Sequence, residues 1–260
     1  MSWRFARTPR WIVRHVAVVA LVVTMVSLGF WQLRRLDEKQ AYKSLVEARR
    51  AEPAVAVSEL LPGNDVDAVL YRSVDATGTY DADDTVVVEN RTLNGAPGGW
   101  VLTPLRLDDG ATVVVNRGFI GFDRDGAIVP PVPPDGTVTV EGLLFPSQRR
   151  GSFGPTDRCE QGGAVLARVD LACYAEQLGI DLLPAYIQLV TSDPPEPDTP
   201  AGAPALVALG PPEPTEGPHL AYAVQWFIFS TIAAGGYVLL LRKVSRSVTE
   251  VAPQLVDGET

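Results

Sequence analysis

The strongest structural signal in this chain is HLAYAVQWFIFSTIAAGGYVLLLRK, residues 219–243. From Tyr222 to Leu241 it has no charged residue over 20 positions, and that length of helix crosses about 30 Å of hydrocarbon. A second apolar run, Val16–Phe30, lies near the other end of the chain. The sequence therefore predicts two transmembrane helices that hold one folded domain between them.

The first apolar run has two interpretations. Arg4, Arg7, Arg10 and Arg14 precede it, and they resemble the basic region of a secretory signal peptide. The run exits, however, into GFWQLRR at Gly29–Arg35 and not into a small-residue cleavage site. We therefore expect an uncleaved anchor rather than a signal peptide.

The charges beside the second helix predict its orientation. Residues 200–218 contain no Lys or Arg, whereas Arg242, Lys243 and Arg246 follow the helix. The positive-inside rule places the C-terminus in the cytoplasm, and two spans bring the N-terminus to the same side of the cell membrane. The predicted division is a basic cytoplasmic tail at 1–10, a transmembrane helix at 11–32, an extracytoplasmic domain at 33–218 with a Pro-rich linker at 193–218, a transmembrane helix at 219–242 and a cytoplasmic tail at 243–260.

The middle of the chain has the pattern of β-structure. From Leu70 the hydrophobic period changes from helical to two, in segments rich in Val, Thr and aromatic residues. Asp109-Gly110 between two alternating runs predicts a tight hairpin. The fold class is an α+β membrane protein with an antiparallel, strand-rich extracytoplasmic domain. Strands are expected at 71–78, 85–91, 99–107, 111–120, 137–145, 164–169 and 185–191, a short helix at 171–178, and an extension of the first helix to about Arg50, where Pro53 ends it.

Composition argues against several functions. The chain has a formal net charge of −9, and residues 33–218 carry 15 basic against 28 acidic residues. Nucleic-acid binding needs a basic face and is not expected. The only histidines are His15 and His219, at opposite ends, so the middle domain cannot form a Ser-His-Asp or Cys-His catalytic set. We therefore expect a protein that is not an enzyme.

The two cysteines, Cys159 and Cys173, both lie in the predicted outer domain. In an oxidising compartment we expect them to form a disulfide, with free thiols as the alternative. Closing a loop of 15 residues would contribute about 3 kcal/mol on the chain-entropy model. Two thiols without a nearby histidine make a poor metal site.

Seven motifs follow one another along the chain: Gly29–Arg35 with Lys39, Gly78-Thr79-Tyr80, Asn90-Arg91, Gly99–Leu105, Val115–Phe119, Glu141-Gly142-Leu143, and His219–Tyr222 with Gln225-Trp226-Phe227. In this order they resemble the Surfeit-locus-one family, membrane assembly factors for haem-copper cytochrome c oxidase. In the family Asn often precedes the histidine of the second span, whereas Gly217-Pro218 stand here, so a hydrogen bond that orients the imidazole is missing or supplied otherwise.

The resemblance implies a role in making the oxidase subunit that carries haem a, and bacterial members of the family are thought to bind that haem. It implies as partners the haem-carrying subunit and haem a synthase, beside the lipid bilayer. The alternative is a permanent structural accessory subunit or scaffold with no haem of its own.

The resemblance and the predicted geometry together suggest a haem a site where the two spans meet outside. His219 is the candidate ligand of the iron, and the adjacent small-residued helix face could admit another helix or a flat ring. The alternative is that these are ordinary interfacial anchors. The first helix offers Trp31 and Gln32, with Arg34 and Arg35 for the propionates, and the second offers His219, Tyr222, Gln225 and Trp226.

The sequence also supports specific predictions for three further residues. His15 lies 16 residues from Trp31, about 24 Å along a helix, so it cannot share an iron with His219. We expect it to be an interfacial, solvated histidine. Arg117 and Arg91 either pair with a partner or a propionate, or tie down strand ends inside their own domain.

Overall fold

The structure, a computed structural model, describes residues 4–61, 64–152, 159, 163–199, 203–211 and 215–251. The chain divides into two compact units: Met1–Ser44 with Pro214–Thr260, and Leu45–Glu213. We call the first the helical unit and the second the β-domain.

The described secondary structure follows the predicted order of elements. Five helices and eight strands are labelled in chain order, beside short 3-10 turns at Arg4–Arg7 and Ala82–Asp84. They are α1 Pro9–Arg50, β1 Val55–Ala56, α2 Val57–Leu60, α3 Val66–Val69, β2 Ser73–Tyr80, β3 Val86–Leu93, β4 Ala96–Leu107, β5 Thr112–Gly121, β6 Thr137–Pro146, β7 Val165–Leu166, α4 Leu171–Leu178, β8 Ala185–Asp193 and α5 His219–Val251.

The helical unit contains the two apolar segments. Helices α1 and α5 are each long and apolar enough to cross a membrane by length and composition. Helix α1 continues past its apolar part and ends at Arg50, three residues before Pro53. Proline clashes with the preceding turn of a helix and lacks the N–H that would extend it. The predicted extension of the first helix is thus confirmed.

The β-domain is built on one eight-stranded sheet in the order β1-β2-β6-β8-β5-β4-β3-β7. An additional pairing of β2 with β4 closes five of these strands into a ring. Strand β3 extends the sheet from β4, and β7 follows it at the edge. Ring closure leaves the five inner strands without open edges.

The prediction of an antiparallel sheet is wrong in one respect, because the sheet is mixed. Strand β5 runs parallel to β8, β1 parallel to β2, and β3 parallel to β7. The physical reason for the inner pair is topological: strands of alternating direction cannot close a ring of odd number. A five-stranded ring must contain a parallel neighbour, and β5–β8 is that neighbour.

Two hydrophobic clusters lie on opposite faces of the sheet. Val113 and Val115 of β5 belong to one cluster, together with Leu60 of α2. Val114, between them, belongs to the other, together with Tyr174 of α4. Successive residues of a strand point to opposite faces, so the period-two pattern in the sequence is the direct cause of the two layers.

Two motif glycines let strands approach closely. A Cβ on Gly78 would lie 2.2 Å from the carbonyl oxygen of Arg106, where β2 meets β4 to close the ring. A Cβ on Gly142 would lie 2.3 Å from the carbonyl oxygen of Gln188, at a register shift between β6 and β8. The close approach of the paired strands thus accounts for both glycines.

Arg117 ties the Pro-rich linker to the sheet. Its side chain is fully buried, its Nε donates to Glu196 Oε1 at 3.0 Å, and its Nη1 donates to the Pro131 carbonyl at 2.8 Å. Phe119 lies two residues further along β5. Its backbone N–H donates to the Val207 carbonyl oxygen at 2.8 Å, and the Val207 N–H donates to the Phe119 carbonyl oxygen at 2.8 Å. The linker is therefore held along β5, and the intradomain interpretation of Arg117 is confirmed.

Arg91 is also engaged within its own domain. Its guanidinium lies over the Trp100 ring at 4.4 Å from the centroid, and its Nη2 donates to Gln148 Oε1 at 3.2 Å. Burial lowers the pKa of Arg91 from its ordinary value. The intradomain interpretation holds for this arginine as well.

The predicted disulfide joins Cys159 to Cys173. Cys173 lies in the first turn of α4, where its backbone N–H donates to the Asp170 side chain at 3.2 Å. The helix ends at Gly179, which has the left-handed conformation with φ of 66°. The cap, the helix and its stop all lie where the sequence predicts them.

Candidate functional site

One row of buried and partly buried residues on α1 follows a regular spacing. They recur at alternating intervals of three and four, a period of about 3.5 that is typical of helices packed side by side. We call this face, with the facing side of α5, the helix seam. On α1 it includes His15, Val18, Val22, Met25, Gly29, Gln32 and Leu36, and on α5 it includes His219, Ala223, Phe227, Ser230 and Tyr237.

The two helices run antiparallel along this seam, because Gln32 contacts His219 at one end and His15 contacts Tyr237 at the other. Near the first contact the Phe30 and Phe227 rings meet edge to face, 5.4 Å between centroids at 75°. We name the two regions the Gln32–His219 end and the His15–Tyr237 end.

The Gln32–His219 end has one direct polar contact between the helices. His219 Nδ1 lies 2.8 Å from Gln32 Oε1. An amide oxygen only accepts, so the hydrogen of this contact belongs to Nδ1; when the ring is neutral, its lone pair is then on Nε2. The orienting hydrogen bond, in doubt because Gly217-Pro218 precede the histidine, is thus supplied by Gln32.

The chain just before His219 is also fixed to α1. Glu216 accepts from Gln40 Nε2 at 3.3 Å and lies 3.9 Å from Lys43 Nζ. Both contacts are solvent-exposed, so each contributes at most about 1 kcal/mol. Gly217 has φ of 67°, and a Cβ there would stand 3.5 Å from His219 Nε2. Because Gly217 has no side chain, this residue does not cover the Nε2 side of the imidazole.

Only two of the eight predicted site residues, Gln32 and His219, are in direct polar contact with each other. Trp31 and Tyr222 are 48% and 49% exposed, and Gln225 is exposed as well. Trp226 follows His219 by seven residues on a similar face of α5 and meets Phe229 edge to face. The exposed aromatic side chains at this end are accessible to lipid, a ligand or a partner.

The two predicted arginines differ from each other. Arg34 is exposed, whereas Arg35 pairs with Glu38 one turn on, with Nη1 2.6 Å from Oε2. On α1 their directions differ by about 100°, since successive residues of a helix rotate by that angle. The guanidinium of Arg34 is therefore not engaged in the ion pair with Glu38.

The small-residued face of α5 is closed. Ala223 is 1% exposed and Ser230 is 7% exposed, and both lie on the seam between the two polar contacts with α1. Of the two predicted occupants, another helix and a flat ring, the structure has the helix. A planar ligand would have to approach His219 outside the seam.

The His15–Tyr237 end corrects another expectation. His15 is half-buried, its Nε2 donates to the Ala6 carbonyl at 3.0 Å, and its Nδ1 lies 2.5 Å from the Tyr237 hydroxyl. The expected solvated histidine is therefore wrong. The available signal was the spacing: 17 residues separate His15 from Gln32 and 18 separate His219 from Tyr237, so one helix register brings both pairs together.

The side chains available near His219 limit which metal ion or cofactor could bind there. Within the described parts of the chain, no group of three or more His, Cys, Asp or Glu side chains is placed to hold a metal ion. A haem brings four nitrogen ligands of its own and needs only one or two from the protein. One imidazole with a committed Nδ1 and an uncommitted Nε2 fits that requirement, and it does not fit a bare ion.

Comparison with known proteins adds a separate finding. The model of the SURF1 family matches residues 19–231. An uncharacterized SURF1-like protein of Mycobacterium tuberculosis (strain ATCC 25618 / H37Rv) is 30% identical over 237 residues, covering 89% of this chain and 83% of the relative. SURF1-like proteins of Rickettsia felis and Monosiga brevicollis are 25% and 27% identical, covering 88% and 87% of this chain and 97% and 87% of the relatives.

Proposed function

The chain belongs to the SURF1 family, and from that premise we propose that it is a non-enzymatic assembly factor for an aa3-type cytochrome c oxidase. The family is generally linked to cytochrome oxidase assembly. The proposed task is to hold haem a, or the haem-receiving subunit, during insertion. The observation that carries this proposal is the contact between His219 Nδ1 and Gln32 Oε1 at 2.8 Å, which leaves Nε2 uncommitted.

The proposed location is the cell membrane. Helices α1 and α5 span it, both termini are cytoplasmic, and the β-domain lies outside. Support comes from the length and apolarity of both helices and from Arg242, Lys243 and Arg246 at the end of α5. The proposed partners are the haem-carrying subunit of the oxidase and haem a synthase.

The residues of the Gln32–His219 end have separate proposed roles. His219 Nε2 is the iron ligand, Gln32 holds the ring, and Trp31 and Tyr222 supply apolar contact area. Arg34 is free of the Glu38 pair, whereas Arg35 lies nearer to the Gln32 side of α1, because three residues turn a helix by about 300° and two by about 200°. Each guanidinium could bind a carboxylate such as a propionate. Bound haem a would supply an iron centre that accepts an axial nitrogen.

The test uses the second histidine as its control. The protein is made in cells that synthesise haem a, purified in detergent, and its visible spectrum and haem content are compared among wild type, His219→Ala and His15→Ala. We expect haem a to co-purify with the wild type and with His15→Ala, and to be lost from His219→Ala at equal expression. Full haem in His219→Ala would remove this histidine from the mechanism.

A second candidate function is supported by the closed seam. The two helices already contact each other through polar side chains at both ends. A permanent accessory subunit or scaffold without haem of its own needs no more than this. It predicts one copy per mature oxidase, which quantitative mass spectrometry of the purified complex measures. Depletion from the mature complex would exclude it.

A further inference from the structure

We infer that the helix seam assigns opposite tautomers to the two histidines, so that only His219 keeps an imidazole lone pair available. Gln32 is then a positioning residue that acts on a ligand through His219. Tyr237 has the converse effect, because it occupies the lone pair of His15. The inference rests on the proposed function, since it names the atom and the residue that would prepare the haem site.

The contact of His219 fixes which nitrogen is protonated. Gln32 Oε1 accepts at 2.8 Å, so the hydrogen is on Nδ1. A histidine that ligates a metal through one nitrogen nearly always donates its other N–H to an oxygen, which orients the ring and raises its basicity. The Gln32–His219 pair has this arrangement before any ligand is present.

The contacts of His15 fix the opposite state. A backbone carbonyl only accepts, so Nε2 must carry the hydrogen that it shares with Ala6. Nδ1 then has the lone pair, and the Tyr237 hydroxyl donates to it at 2.5 Å. Both nitrogens of His15 are committed, and this ring has no free electron pair for iron.

The two assignments depend on one shared geometry. Gln32 and His15 lie on the same face of α1, about 26 Å apart at 1.5 Å per residue, and His219 and Tyr237 lie about 27 Å apart on α5. The near equality lets one packing of the helices form both contacts. A shift of α5 by one turn would break both at once, so the seam is what selects His219 over His15.

The first experiment reads the tautomers without haem. The full-length protein, labelled with 15N-histidine, is studied by NMR in detergent micelles under conditions where both rings are neutral. The couplings from the ring nitrogens to the ring carbon-bound protons distinguish the Nδ1–H from the Nε2–H form. His219→Ala and His15→Ala assign the two spectra. We expect Nδ1–H for His219 and Nε2–H for His15.

Substitutions test how Gln32 and Tyr237 affect the two imidazole rings. Gln32→Leu should shift His219 towards a mixture of tautomers and leave His15 unchanged. Tyr237→Phe should keep His15 in the Nε2–H form and move only its Nδ1 resonance towards that of an unbonded nitrogen. Thr24→Val is the control on α1, because the Thr24 hydroxyl bonds the Ala20 carbonyl of its own helix. An Nε2–H tautomer for His219 in the wild type would overturn the inference.

The second experiment reads the consequence for haem. Gln32→Leu should weaken haem a retention about 10- to 100-fold, the usual effect of losing such a partner. Gln32→Glu should retain haem and lower its reduction potential, since a carboxylate makes the imidazole a stronger donor. Thr24→Val should match the wild type in both measurements.

The outcomes separate the two proposals. A wild type without haem a refutes the haem-holding function, while the apoprotein spectra still decide the tautomers. Haem retained in Gln32→Leu at wild-type amount and potential refutes the positioning role and leaves haem binding by His219 standing.

Discussion

The β-domain and the helical unit use their motif side chains differently. In the β-domain Arg117 is fully buried against Glu196, Arg91 lies on Trp100, and Gly78 makes room for the carbonyl oxygen of Arg106. In the helical unit His219 has one nitrogen committed and one uncommitted. The same set of motifs thus contains residues that build the scaffold and residues that remain open for chemistry, and only the contacts tell them apart.

The largest effect should follow loss of Arg117. Replacing it with methionine leaves Glu196 partly buried without its partner, and breaking such a pair costs about 3 to 5 kcal/mol. Denaturant unfolding of the detergent-purified protein, followed by near-UV circular dichroism, measures the loss. Arg106→Met is the control, because its Asp81 pair is on the surface and should cost less than about 1 kcal/mol. Equal unfolding midpoints for the two variants would show that the buried Arg117–Glu196 pair stabilises the domain no more than a surface pair does.

Removing the disulfide should have the next effect. Cys159→Ser with Cys173→Ser frees the cross-linked loop and should lower the stability of the β-domain by about 3 kcal/mol. The same unfolding assay measures it, with reduced wild-type protein as the matched comparison. An unchanged midpoint in both samples would show that the bridge does not stabilise this domain.

Gly78→Ala should cost about 1 to 3 kcal/mol, because the new Cβ would overlap the carbonyl oxygen of Arg106 and force β2 away from β4. Gly163→Ala is the control, since its Cβ would meet only the Val165 nitrogen at 4.0 Å. Hydrogen exchange at the β2–β4 pairing would locate the damage. Protection there equal to wild type would show that the ring does not depend on this glycine.

Tyr237→Phe should have the smallest effect, about 0.6 to 1.7 kcal/mol, the range for a hydrogen bond between apolar helices. This substitution tests the helical unit by itself, because it removes one contact between α1 and α5 and changes no residue of the β-domain. Thr231→Val, whose hydroxyl bonds the Phe227 carbonyl within α5, is its control. Unfolding in mixed micelles compares the two, and identical stabilities would mean that the His15–Tyr237 end does not hold the helices.

Local patterns predicted most of the fold. The predicted strands begin and end within about three residues of the observed limits, and Gly110 has the positive φ that the Asp-Gly hairpin requires. The short elements β1, α2 and α3 were not predicted, because two to four residues are too few to show a period. The parallel β5–β8 pair had no local signal, since ring closure alone requires it.

The arrangement of the candidate residues followed from the sequence only in part. Topology brought the Trp31-Gln32 and His219 regions to the same end, and the resemblance named the residues. Which of them touch depends on helix rotation and register, which composition does not specify. The Gln32–His219 and His15–Tyr237 contacts can be recognised only when the seam residues of α1 are aligned with those of α5.

The position of β8 has a consequence for how this chain is made. Strand β8 is the last of the eight in sequence, yet it lies between β5 and β6. Until residue 193 has left the ribosome, those two strands expose unpaired edges that invite association with other chains. Only the linker then separates the completed ring from α5, so the domain can finish its assembly just as the second apolar helix is being synthesised. A shortened chain that stops before β8 should therefore aggregate rather than persist as a smaller, soluble domain.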